Sequence, residues 1–279
     1  MMSVAQFEKD EQFMRLVRRE SDVDLVVAAL ELARDEQPEL EFEPTLQRLR
    51  TAVSELTRPI AFAGDDLSEL KLLVEYLTAE LNLHGDHDCY ESSHGSYLNK
   101  VLETGAGLPI ALSVIYMAVA AELGIPLQGI AAPAHFITRL ETASRPVYVD
   151  PFRNGTIMEH EECVSWLCQI TELRPAEIRP TIKPASPRQI IIRMLNNLKG
   201  LFGSQERWRH AWRVQGRLAA LSPGSYREMR DLAIISLRAG RPGEAVTLLE
   251  NCISVCTPEE RELLTRYLKE AKRGVPDFN

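Results

Sequence analysis

Apolar residues recur at three- and four-residue steps over 23–34 (VDLVVAALELAR), 44–56 (PTLQRLRTAVSEL) and 66–81 (DLSELKLLVEYLTAEL). That spacing predicts three amphipathic helices. Residues 107–123 differ: almost every side chain is apolar, Pro109 stands in the first turn and Gly124 follows the last. Proline costs nothing where its missing N–H has no partner, and glycine suits the left-handed residue that ends a helix. A helix apolar all round is buried on all sides. Beyond it the period shortens. Residues 127–131, 135–140 and 147–152 are rich in β-branched and aromatic side chains, which predicts strands. Asn154-Gly155, a dipeptide suited to a type I′ turn, leads into Thr156-Ile157-Met158 as a return strand. A central buried helix on an antiparallel sheet, behind N-terminal helices, is the simplest assembly: an α+β unit.

The period of 3.6 then takes over. A helix near 159–170 carries Cys163 and Cys168. After the proline-spaced stretch 179–188, helices are expected over 187–202, 206–221, 225–239, 242–256 and 258–272. Ser225 with Glu228, and Thr257 with Glu260, have the spacing of capping boxes. Segments starting at Arg207 and Arg241 match loosely, Trp208 with Pro242 and Ala211 with Ala245. Their 34-residue offset is the period of tetratricopeptide repeats. The expected division is 1–183 for the α+β domain and 184–279 for an all-α helical-repeat domain.

Charge sharpens that division. Residues 188–279 hold 16 basic and 10 acidic side chains, net +6, and residues 1–187 are net −14, which together give the −8 of the whole chain. An acidic total argues against a dedicated nucleic-acid binder. Five cysteines without CxxC pairs fit a reducing compartment, and the charged N-terminal stretch has no signal-peptide core. The longest uncharged apolar run, Leu108–Ala121, is 14 residues, too short to cross a bilayer. The expectation is a cytoplasmic protein away from membranes.

Two clusters carry candidate surface chemistry. Arg209, Arg213 and Arg217 recur every four residues beside Trp208 and Trp212. Such a stripe can dock an acidic protein partner or, less in keeping with the chain's charge, a nucleic-acid backbone. It can equally be solvated or pair with the acidic half. His84, His87, Cys89 and His94 bring metal-ligand atom types together, but their spacing matches no standard zinc pattern, so no cofactor or metal is expected.

The segments SYLNKVLETGAGLPIALSVIYMAVAAELGIPLQGI, APAHFITRL, VYVDPFRNG and RQIIIRMLNNLKGLF together resemble the bacterial SirB-type family. That family joins a degenerate transglutaminase-like domain to tetratricopeptide-like helices. The resemblance, over roughly residues 90–275, implies a transglutaminase-like core of the papain-like cysteine protease type. Gly107, Gly124-Ile125-Pro126, His135 and Asp150-Pro151 all fall on the superfamily's pattern. The nucleophile position falls on Pro109, which has neither a thiol nor an N–H. His135 and Asp150 are then a vestigial pair, and triad members act as a unit. The resulting expectation is a non-catalytic, regulatory scaffold whose C-terminal helices bind a protein. The alternative keeps an enzyme, a hydrolase or acyltransferase using Cys89 or Ser113 with His135 and Asp150. It requires one of those two atoms within hydrogen-bond reach of His135.

Overall fold

The computed structural model describes residues 4–275, with side chains from Gln6 onward. The chain divides into two compact units. One runs from Ser21 to Met194; the other joins the segment through Glu20 to everything from Leu195. The division between these units falls within a helix, and the first 20 residues belong with the C-terminal helices.

In the central unit, α2 (Leu25–Ala33), α3 (Glu43–Ala61) and α4 (Asp66–Ala79) form where the apolar steps place them. (The preceding α1, Glu11–Val17, belongs to the other unit.) Asp24 and Asp65 cap α2 and α4 by accepting from Val27 N–H and Ser68 N–H. That satisfies donors a helix start leaves over. A short parallel pair, β1 (His84–Gly85) and β2 (Ala106–Gly107), flanks α5 (Leu98–Thr104).

Helix α6 (Pro109–Glu122) follows directly. Its residues Pro109 to Tyr116 are all buried, as its nearly continuous apolarity requires. It packs on α2, α3, α4 and α5 and touches the four-stranded antiparallel sheet. That sheet has the order β3 (Gln128–Ile130), β4 (Ile137–Glu141), β5 (Pro146–Asp150), β6 (Thr156–Glu159). Asn154 (φ 50°) and Gly155 (φ 68°) both take positive φ at the expected turn, but a 3₁₀ turn over Pro151–Arg153 precedes them. At Gly155 a Cβ would stand 2.4 Å from Val74 Cγ1, so glycine is required by both conformation and space.

Helix α7 (His160–Thr171) lays Cys163, Val164 and Leu167 against Ile130, Ile137, Tyr148 and Met158 of the sheet. A one-turn α8 (Pro175–Ile178) leads to α9 (Pro187–Ser204), which spans the division between units. Ser186 and Gln189 exchange hydrogen bonds at its start, a reciprocal cap.

The second unit continues with α10 (Trp208–Leu221), α11 (Tyr226–Arg238), α12 (Pro242–Val255) and α13 (Pro258–Gly274), each packed on the next. Leu232, Leu248, Leu249, Cys252 and Leu264 form its core. Ser225 accepts from Glu228 N–H, but the return arm is missing because Gln215 Nε2 donates to Glu228 Oε2. Thr257 does not cap α13, and Glu260 instead accepts from Tyr226 and Arg230. Tertiary partners outbid both local boxes.

Among the described residues no helix is long and apolar enough to cross a membrane.

Candidate functional site

His135 and Asp150 meet because antiparallel pairing puts the start of β4 beside the end of β5. The imidazole Nε2 lies 2.9 Å from Asp150 Oδ1, with the carboxylate fully buried and the ring nearly so. A carboxylate only accepts, so the ring hydrogen is on Nε2 and donates to Oδ1. Phe152 N–H donates to the same oxygen at 3.1 Å. Asp150 Oδ2, Ser113 Oγ and Tyr116 Oη are buried and have no hydrogen-bond partner among the described residues. Burial and then the Asp150 charge push the Tyr116 hydroxyl's pKa well above its ordinary value.

The rest of the histidine's surroundings is aromatic. Trp166 of α7 stands edge-on at 4.8 Å between ring centroids, and Phe152 at 5.9 Å. Phe152 also meets His87 at 5.2 Å and Tyr90 at 6.2 Å. Neither Trp166 nor Phe152 was singled out from the sequence. Phe152 had a signal, standing two residues after Asp150, whereas Trp166 reaches the ring through tertiary packing alone.

Pro109 occupies the first turn of α6 and is buried there. The loop bearing Cys89 is held against the same helix start: Leu108 N–H donates to Gly95 O at 2.8 Å, and Gly95 lies against Cys89. A Cβ on Gly95 would come within 2.5 Å of Cys89 Cβ. Cys89 is thus tied through Gly95 to the start of α6, but it makes no hydrogen bond to His135 among the described residues. Burial, then Asp86 and Asp88, raise its thiol pKa. Nearby acids are the opposite of what stabilises a thiolate. Ser113, buried one turn into α6, makes no bond to His135 either. Neither atom hydrogen-bonds the His135 ring among the described residues.

The four loop candidates for metal are dispersed. His84 Nδ1 donates to Asn82 O at 2.7 Å, His87 stacks on Tyr90, and His94 is exposed. Among the described residues no group of three His, Cys, Asp or Glu side chains is placed to hold an ion.

The arginine stripe is split. Arg209 and Arg213 are exposed on α10, but Arg217 is 1% exposed and its Nη2 donates to Asp10 Oδ2 at 2.7 Å. Its guanidinium carbon lies 4.5 Å from the Phe7 ring and 4.7 Å from the Phe13 ring. Arg217 is thus a core residue of its unit, not a surface contact. Trp212 packs on the helical core, donates from Nε1 to Glu244 and lies under Arg241, while Trp208 is half-buried. An eight-residue arc on an ideal helix turns 80°, enough to carry a residue from the solvent face into the core.

Residues 43–196 match the transglutaminase-like superfamily and residues 198–269 match the tetratricopeptide repeat. The first match covers more than half of the chain, and the chain belongs to the transglutaminase-like superfamily. Over most of its length it is similar to a UPF0162 protein of Xylella fastidiosa, 31% identical over 248 residues, 83% of each chain. It is also similar to protein SirB1 of Salmonella typhimurium, 25% identical over 218 residues, 74% of this chain and 79% of the relative. A shorter stretch of 151 residues, 51% of this chain, is 28% identical to F-box only protein 21 of Mus musculus and covers 22% of it. No solved structure matches the chain.

Replacing His135 with alanine should cost on the order of 1–3 kcal/mol, the loss expected when a buried polar group is left short of a partner. Urea unfolding checks it. A His135→Ala midpoint equal to wild type would show that the pair contributes nothing to the core.

Proposed function

We propose that this chain is a non-catalytic transglutaminase-like scaffold, regulatory in role, whose helical-repeat unit binds a protein partner. The observation that carries the reading is Pro109. It stands buried at the first position of α6, where the superfamily pattern has its nucleophile. Proline supplies no thiol to be made a thiolate by the helix dipole and no N–H to hold an oxyanion. His135 donates to Asp150 as a triad histidine would, yet among the described residues no hydroxyl or thiol bonds its ring. Without a nucleophile, histidine and aspartate together retain little catalysis. The match to tetratricopeptide repeats, and the sequential packing of α10 to α13, support the binding half of the reading. Exposed Arg209 and Arg213 give that unit a basic edge suited to a partner's carboxylates.

The test has two arms on the full chain. Incorporation of a fluorescent amine into a glutamine-bearing protein should stay at the level of a denatured control; turnover lost in His135→Ala would overturn the scaffold reading. A partner isolated from the native host should be captured less by Arg209→Glu/Arg213→Glu than by wild type. Its capture should also weaken between about 50 and about 200 mM salt, since exposed charge contacts are screened within roughly 10 Å. Capture indifferent to both would remove these arginines from the binding surface.

A further inference from the structure

The sheet has two edges, and they are treated differently. At β3 the Gly129 carbonyl accepts from Ala185 N–H at 2.8 Å, and Ile130 bridges to Pro184, so that edge is covered. At β6 the register pairs Thr156 with Asp150, Ile157 with Val149, Met158 with Tyr148 and Glu159 with Val147. Glu159 N–H donates to the Glu162 carboxylate at 2.8 Å rather than to Val147. In an antiparallel ladder hydrogen-bonded and non-bonded pairs alternate. Glu159 and Ile157 therefore belong to the non-bonded pairs, and the Ile157 N–H and C=O point away from β5. Among the described residues nothing takes them up. An exposed row of this kind is a template for another strand.

A cleft of about 580 Å³ lies along this edge, between β6 and α7, lined by Arg153, Ile157, Met158, Glu162 and Trp166 among others. Its charges are not equally satisfied. Glu161 is held in a two-point pair by Arg179, and Glu162 serves the capping box of α7. Arg153 has no carboxylate among the described residues. It is exposed, lies 4.9 Å over the Trp166 ring, and its Nη1 reaches only the Met158 sulfur at 3.7 Å. A guanidinium spread on an indole face presents its edge to a carboxylate in a fixed direction.

From these features we infer that the cleft is a docking site for an extended peptide segment of another protein. The peptide pairs its main chain with Ile157 along β6 and places an acidic side chain on Arg153. Backbone pairing at a sheet edge supplies affinity, and side-chain pockets supply selectivity. The site belongs to the transglutaminase-like unit and does not depend on the helical-repeat reading above.

The test is a selection of random nine-residue peptides, displayed on phage, against the full chain. Aspartate and glutamate should be enriched, and a selected peptide, made synthetically, should slow amide hydrogen exchange at Ile157. Arg153→Glu, a change at an exposed position, should weaken that peptide about tenfold or more, as loss of a charge-assisted contact does. Ile157→Pro removes the outward N–H, which edge strands tolerate, and should weaken it as well without unfolding the sheet, whereas Ile157→Val, which keeps the N–H and a β-branched side chain, should not. Selection without acidic enrichment, binding unmoved by either substitution, or an unprotected Ile157 amide would each overturn the proposal. Loss of binding in Arg209→Glu/Arg213→Glu but not in Arg153→Glu would overturn it too, while leaving the helical-repeat surface intact.

Discussion

Replacing Arg217 with alanine should lower the unfolding free energy by about 3–5 kcal/mol, as removing one member of a buried ion pair does. The guanidinium lies against both Phe7 and Phe13 with Asp10 at 2.7 Å, and the two rings themselves pack edge to face at 5.2 Å. Alanine would forfeit the ion pair, both ring contacts and the volume of the largest fully buried side chain in the chain's core. Arg209→Ala and Arg213→Ala serve as controls and should stay within about 0.5 kcal/mol of wild type, as exposed positions generally do. Urea titration followed by circular dichroism separates these outcomes. An Arg217→Ala variant indistinguishable from the two controls would mean the site is hydrated and open. The result also bears on binding experiments: a triple charge reversal including Arg217 would unfold the unit and mimic loss of a docking surface, so only Arg209 and Arg213 are fit for that test.

The second large effect concerns thiol chemistry. Burial and the Asp150 charge push the Cys163 thiol from an ordinary 9.0 up to about 12. Near neutral pH that leaves about a thousandth of the thiolate, which is the reactive form. Alkylation at Cys163, resolved by mass spectrometry, should therefore run about a thousandfold more slowly in the folded chain than in urea. The same shift has a sign for stability. The folded chain holds this proton more tightly than the unfolded chain, so the contribution is complete below about pH 9 and is lost as pH rises towards 12. Cys252, pushed up to about 11 by burial, acts in the same direction. The urea midpoint should fall across that alkaline window. Fast labelling of native Cys163 would show instead that the α7–sheet core opens readily.

Much of the architecture was readable in the chain, because most of its elements bury one regular stripe. Helix α6 was legible from its nearly continuous apolarity between Pro109 and Gly124, and the β5–β6 connection from Asn154-Gly155. The His135–Asp150 pair was legible through the resemblance, since two matched positions on neighbouring strands have one way to meet. Contacts distant in sequence were less accessible. A repeat of four residues describes the row Arg209, Arg213, Arg217 but does not tell which end faces the core. That depends on Phe7, Asp10 and Phe13, more than 200 residues from Arg217 and with no periodic signature of their own. The capping boxes at Ser225 and Thr257 marked the helix starts correctly, but their return arms are absent because Glu228 and Glu260 have partners on other helices. The aromatic wall around His135 escaped because Trp166 lies on a helix whose register against the sheet is set by Cys163, Val164 and Leu167, not by any motif.

The Asp10–Arg217 contact joins positions 207 apart in the chain, with the whole transglutaminase-like unit strung between them. During synthesis the first twenty residues leave the ribosome long before α10 exists, with the compact unit of residues 21–194 made in between. The helical-repeat unit is then the last to close, and it closes by recapturing a strand of chain made at the outset. Loop-closure entropy rises only slowly with length, so the separation is tolerable in equilibrium. It matters for cutting the protein. A fragment beginning anywhere after residue 20 carries the helices but leaves Arg217 without Phe7, Asp10 and Phe13, and truncations meant to isolate the repeats should keep the N-terminal segment, supplied as a tethered or added peptide.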